Sequence, residues 1–148
     1  MNTRAMNAPD PAFAERCRES FARQKAMALI GARLSVVDPG YVEIELPWRE
    51  ELTQQKGYVH GGIVGMIADT ACGYSAFSLM PADCSLVTVE YKMNILNPGR
   101  GTLVAKADVV KPGRTLTVAR AQVYADDGTH VATMLQTLMM LAGIPDTP

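Results

Sequence analysis

The spacing of apolar residues changes along the chain, and each change predicts an element. From Pro11 to about Ala28, the residues Phe13, Cys17, Phe21 and Ala28 mark one face of an amphipathic helix, with Asp10 as its cap and Pro11 in its first turn. From Gly31 to Trp48 the period falls to two. Val42, Ile44 and Leu46 alternate with Glu43 and Glu45, and Val37-Asp38-Pro39-Gly40 supplies a turn. Two strands with one buried and one wet face follow from that pattern. The polar stretch 49–57 is a connection with room for a short helical turn.

From His60 to just before Pro81 the apolar residues fall on every side: Ile63, Val64, Met66, Ile67, Ala71, Tyr74 and Phe77. That pattern predicts a helix buried all round. Gly65, Ala68, Ala71 and Gly73 let other backbones come close. Each mid-helix glycine costs ~1 kcal/mol relative to alanine, so close packing is the expected compensation. Four strand-like runs follow, at 85–96, 101–111, 114–125 and 129–141, separated by Pro-Gly and Asp-Asp-Gly turns. The order contains no alternating strand–helix rhythm, so an α+β fold with an antiparallel sheet is expected.

Composition narrows the function. The chain has 148 residues, a size suited to one domain, and a net charge of −1 with a pI near 6.1. No basic field is available for nucleic acid or an anionic membrane, so neither is expected as a partner. Cys17, Cys72 and Cys84 are scattered and odd in number, which reads as reduced thiols in a cytoplasmic protein. His60 and His130 belong to no cluster with metal-ligand spacing, so neither metal nor cofactor is expected. The N-terminus lacks an apolar signal core, and Asp10, Glu15 and Glu19 argue against a transit peptide despite Arg4 and Arg16. Residues 61–82 are long enough to span a bilayer, but Asp69, three glycines and the lack of basic anchors favour a buried helix.

Asp69 is the one charged side chain between His60 and Asp83. Burying an unpaired charge is costly, so such a group is paired, lies on a polar seam or is functional. The His60-Gly61-Gly62 start is either a plain glycine-rich turn or a helix N-terminus whose unshielded N–H groups can hold a polarised carbonyl oxygen. No phosphate-binding glycine fingerprint is present. Asp69 lies eight residues beyond Gly61, which is ~12 Å along a helix axis. One carbonyl cannot touch both in the same chain. A single active site then needs a two-fold dimer with antiparallel helices, so that Asp69 faces the subunit interface.

The stretch LTQQKGYVHGGIVGMIADTACGYSAF, with VTVEYKMNILNPG after it, resembles the hotdog-fold acyl-CoA thioesterases, in particular the PaaI-type phenylacetate-pathway group. The resemblance runs from about Gly31 to the last strand. It implies a long helix wrapped by a curved antiparallel sheet, so one hotdog domain is expected at 31–148, after the N-terminal helical segment at 1–30. It also implies a homodimer that pairs into a tetramer, and hydrolysis of coenzyme A thioesters. Carried over, Gly61 of the HGG motif is the oxyanion donor, beside His60 and Gly62. Asp69 is general base or nucleophile. Gln54, six residues before the histidine, orients water or the thioester, and Thr88 holds the water; His60 more often orients the loop than moves protons. Arg114, Lys111, Gly113 and Arg100, with Lys92 beside them, are candidates to hold the coenzyme A phosphates, the KPGR turn foremost. Met66, Tyr74, Phe77 and Met80 could line an acyl pocket, for an aromatic or medium-chain group. Two other readings are a hotdog hydratase or dehydratase, and an acyl-CoA-binding protein without catalysis.

Overall fold

A computed structural model describes residues 6–148; the first five residues of the N-terminal segment, Arg4 among them, lie outside the described residues. The elements are α1 (Phe13–Arg23), α2 (Lys25–Ile30), β1 (Arg33–Asp38), β2 (Tyr41–Leu46), a 3₁₀ turn (Glu50–Leu52), α3 (Gly61–Phe77), β3 (Ser85–Ile95), β4 (Leu103–Lys111), β5 (Leu116–Ala125) and β6 (His130–Leu141). The six strands form one antiparallel sheet in the order β1-β2-β4-β5-β6-β3. The chain leaves β2 at one side of the sheet, runs through α3 and re-enters at the far edge as β3. α3 therefore lies across the sheet, mainly on β2, β4 and β5. This is the α+β, hotdog arrangement.

The core lies between α3 and the sheet. Val42, Ile44 and Leu46, the apolar phase of β2, are wholly buried, as are Leu103 and Leu138. Each such side chain contributes about 1.5–3 kcal/mol relative to exposure. Under the middle of the helix the sheet carries Ala105, Ala107, Ala119 and Ala121, all without exposed surface. These small side chains let α3 sit close to the strands. The β1–β2 turn uses Gly40 at φ 74°, a conformation that disfavours side chains.

The expected first helix is two helices. Gln24 takes an extended ψ of 98° between them, and α2 ends at Gly31, whose φ is 76°. The turn rotates the second half, so Met27 is buried and Ala28 is exposed, contrary to the expectation from a continuous helix. Asp10 also sits two positions further out than expected, and Pro11 precedes the helix instead of lying in its first turn. The N-cap is Ala12, and Asp10 accepts from its N–H at 2.9 Å while pairing with Arg16 at 3.1 Å. Arg16 then ties α1 to the end of α3. Its guanidinium donates to the carbonyls of Phe77 (3.1 Å), Met80 (2.7 Å) and Pro81 (2.7 Å), and lies 4.3 Å from the Phe77 ring. A cation there complements the negative end of the helix dipole.

The central helix also differs from its expected all-round burial. Ile63, Met66, Asp69, Thr70 and Gly73 are only half-buried, and they recur at helical spacing along one stripe. That stripe faces the β3 edge, where the sheet stops. The long apolar run conceals it because Ile63 and Met66 are as hydrophobic as the buried positions.

Candidate active site

The backbone at the start of α3 is spoken for by its own cap. His60 is the N-cap, and its Nδ1 accepts the Gly62 N–H at 2.9 Å. Its carbonyl accepts from Ile63 (2.9 Å) and Val64 (3.1 Å). The neutral ring therefore carries its proton on Nε2. Among the described residues nothing accepts from the Gly61 N–H, one of the donors a helix N-terminus leaves free. Of the two glycines expected to offer a donor, Gly61 has one to give and Gly62 does not. A Cβ at Gly61 would meet only Ile95 Cγ1, at 4.0 Å. Gly61 lines a cavity of about 370 Å³ together with Gln54, Tyr58, Val64, Ile95 and Asn97 among others. Gln54 holds its own loop there, its Oε1 accepting the Lys56 N–H.

Asp69 lies in a second cavity, of about 490 Å³, with no lining residue in common with the first. The two groups sit on one helix, eight residues apart, so ~12 Å separates them along its axis. Asp69 is neither sealed in the core nor paired with a cation: among the described residues it makes no ion pair. Its Oδ1 accepts from Thr88 Oγ1 at 2.9 Å and from Gln136 Nε2 at 2.6 Å, while Nε2 also reaches Thr88 Oγ1 at 2.9 Å. The hydrogens account for each contact. The two amide hydrogens of Gln136 go to Asp69 and Thr88, and the one hydroxyl hydrogen of Thr88 goes to Asp69. Oδ2 has no donor among the described residues, so one carboxylate oxygen is fixed and the other faces the cavity.

β3 delivers Thr88 by a register shift. Thr88 pairs with Leu138 and Glu90 with Thr137, so Val89 is the extra residue of a bulge. Before it, Leu86 and Thr88 face α3. After it the phase changes, and Tyr91, Met93 and Ile95 approach Gly65 and Gly61. The bulge keeps both ends of one strand turned to one helix.

Sequence reasoning missed Gln136, which has no exposed surface and whose Oε1 has no partner among the described residues. A signal existed: β6 buries Ala132, Met134 and Leu138 in alternation, and Gln136 occupies the same phase. A polar residue in a buried phase needs a partner.

The candidate phosphate-binding residues fall in two places. Arg100 stacks its guanidinium 4.4 Å from the Tyr58 ring, at the cavity of Gly61. Lys111, Gly113 and Arg114 lie at the other end of the sheet, where Leu116 pairs with Met139 and Met139 with Val87, which lines the cavity of Asp69. Gly113 has a structural reason as well, since a Cβ there would come within 2.0 Å of the Leu116 carbonyl oxygen. Lys92 is exposed and donates to Asn94 at 3.1 Å. Of the proposed pocket residues, Tyr74 and Phe77 line the cavity of Asp69, Met66 lies on the half-buried stripe and Met80 is core. Cys17 and Cys72 are held as thiols. Burial pushes Cys17 up to about 12 and raises Cys72 as well. No helix among the described residues is long and apolar enough to cross a membrane.

Known proteins share this fold. A thioesterase family protein from Silicibacter pomeroyi is 51% identical over 88% of this chain and 99% of its own, with a TM-score of 0.86. The PaaI protein of the E. coli phenylacetic acid degradation operon is 19% identical over 90% of this chain and 96% of its own, with a TM-score of 0.83, a likeness of fold. A Halobacterium salinarum protein whose name proposes an esterase is 32% identical over 86 residues, 55% of this chain and 57% of its own. The chain spans about half the length of the curated relatives it matches. The thioesterase superfamily model matches residues 56–132, which hold His60, Gly61, Asp69 and Thr88. The chain therefore belongs to the thioesterase superfamily.

Proposed function

We propose that this protein is a cytoplasmic acyl-CoA thioesterase of the PaaI type, acting as a homodimer that pairs into a tetramer. One observation carries the reading. Asp69 has one oxygen fixed and one without a donor in its cavity, and Gly61, whose N–H has no acceptor among the described residues, lines another cavity of the same chain. Hydrolysis of a thioester needs both groups on one carbonyl. A second copy related by a two-fold axis brings its Gly61 to this chain's Asp69, and does so twice.

The surface supports the pairing. β3 is an eleven-residue edge strand whose Val87, Val89, Tyr91 and Ile95 are all about half exposed. A long apolar edge invites pairing with another strand. Leu116 and Leu135, on the sheet face turned away from α3, support a second contact between dimers. Within each site, the thioester oxygen rests on the Gly61 N–H and the positive end of α3. Asp69 Oδ2 takes a proton from the water that attacks the carbonyl, or attacks it itself to form an anhydride that water then hydrolyses; in either case coenzyme A thiolate leaves and the free acid is released. Thr88 donates its one hydroxyl hydrogen to Asp69 Oδ1, so it meets water as an acceptor. Gln54 lies beside the oxyanion donor and positions the thioester. Lys111, Arg114 and Arg100 hold the phosphates of coenzyme A. The acyl group is aromatic or of medium length. Residues 31–148 form the catalytic domain, and the helical segment before it covers one end.

A free-thiol assay over a panel of coenzyme A thioesters tests this reading. Asp69→Asn is expected to lower kcat by about 10²–10⁴-fold with little change in KM. Near-wild-type turnover by that variant contradicts the assignment of Asp69.

A further inference from the structure

The cavity that begins at Asp69 has a definite far end. Its floor is one face of α3: Asp69, Thr70, Gly73, Tyr74 and Phe77. Gly73 keeps that floor low, since even a Cβ there would find Leu86 Cδ1 no nearer than 4.0 Å. Leu86 and Val87 of β3 form one side. The far wall comes from both ends of the chain. Ser20, Arg23 and Gln24 come from α1 and the residue after it, and Pro145–Pro148 from the segment beyond β6.

A directed set of hydrogen bonds builds this wall. Gln24 Nε2 donates to Tyr74 Oη at 3.1 Å, and Tyr74 Oη lies 3.0 Å from Ser20 Oγ. Ser20 donates to the Asp146 carboxylate. Its one proton is used there, so Tyr74 is the donor in its pair with Ser20. Arg23 closes the set, donating to Asp146 at its carbonyl oxygen (2.6 Å) and its carboxylate (3.1 Å). Among the described residues these are the polar links that hold the segment after Leu141 across the cavity; its other bond is a local turn from Ile144 to Leu141.

Resting on the thioesterase reading, we infer that this cavity is the acyl subsite and that the segment latched by Asp146 to Ser20 and Arg23 is its end wall, which holds the substrate to the lower end of the medium-chain range or to a single ring. Asp69 and Tyr74 are five residues apart on α3, so ~7.5 Å of floor separates the reacting carbonyl from the wall. That length suits a chain of about six carbons or one ring. A longer alkyl chain would drive its apolar end into hydrogen-bonded polar groups, burying them against hydrocarbon or breaking the latch.

The test compares acetyl-, hexanoyl- and dodecanoyl-CoA on the wild type and on the double variant Arg23→Ala/Asp146→Ala, with hydrogen exchange at residues 143–147 read in parallel. The wild type is expected to show kcat/KM for hexanoyl-CoA at least about ten-fold above that for dodecanoyl-CoA. The double variant is expected to exchange faster at residues 143–147 and to lose most of that difference. Equal wild-type values for the two chains overturn the inference. So does a double variant whose segment exchanges as before, or whose segment is freed while the chain-length profile stays. No turnover of any thioester, acetyl-CoA included, overturns this inference together with the thioesterase reading, whereas turnover without length preference overturns this one alone.

Discussion

Gln136 and Asp69 are 67 residues apart in the chain, yet Gln136 Nε2 lies 2.6 Å from Asp69 Oδ1. The contact joins the last strand to the central helix, beneath Thr88. It fixes which carboxylate oxygen is held and which is free. An amide oxygen in place of Nε2 would set two acceptors against each other, so the carboxylate also fixes the orientation of the amide.

That relationship predicts a positioning role for Gln136. Gln136→Met removes both donors at similar volume and is expected to lower kcat about ten-fold with little change in KM. Gln136→Glu places two carboxylates within hydrogen-bonding reach, where they share a proton. The acid limb of its kcat/KM–pH profile is expected to move to higher pH. A filler role alone would leave the profile of a folded Gln136→Glu variant where it was.

How much of this could be read in advance depended on whether local pattern or tertiary geometry decided it. The β2 alternation of Val42, Ile44 and Leu46 became the buried face as expected, because one-sided burial leaves a period of two. The long helix and the four later strands were legible from turn residues and apolar runs. The break at Gln24 was not, since no proline or glycine marks it and packing against the core decides the turn. Nor was the bulge at Val89, which depends on pairing between β3 and β6. Asp69 stood out because it interrupts an apolar helix. Gln136 did not, because one glutamine among threonines and methionines looks like an ordinary strand residue until the buried phase is known.

The basic turn at 111–114 predicts a separation of binding from chemistry. Removing charge with Lys111→Ala/Arg114→Ala is expected to raise KM for an acyl-CoA about ten-fold, with kcat nearly intact and a weaker dependence on salt. The same variant should treat the acyl-pantetheine analogue as the wild type does. Equal losses on both substrates would assign these residues to the fold.

Cys17 predicts how stability changes with alkali. Burial raises its folded value from 9.0 to about 12, so the unfolded chain releases this proton first. The contribution is complete below pH 9 and is lost as pH rises toward 12. Chemical denaturation from pH 7 to 11 is expected to show stability falling above pH 9, with a shallower fall in Cys17→Ala. Parallel profiles for the two proteins would contradict the assignment.

The shared site is tested most directly by complementation. Asp69→Ala and Gly61→Val each leave both sites of a homodimer broken, and a Cβ at Gly61 meets nothing nearer than Ile95 Cγ1 at 4.0 Å. Co-expressed with different tags, the two chains form a mixed dimer. One of its sites joins the intact Gly61 of one chain to the intact Asp69 of the other. The account predicts that the purified mixed dimer hydrolyses acyl-CoA at about half the wild-type rate per dimer, while each parent variant is nearly inactive. A folded mixed dimer as inactive as its parents would contradict it.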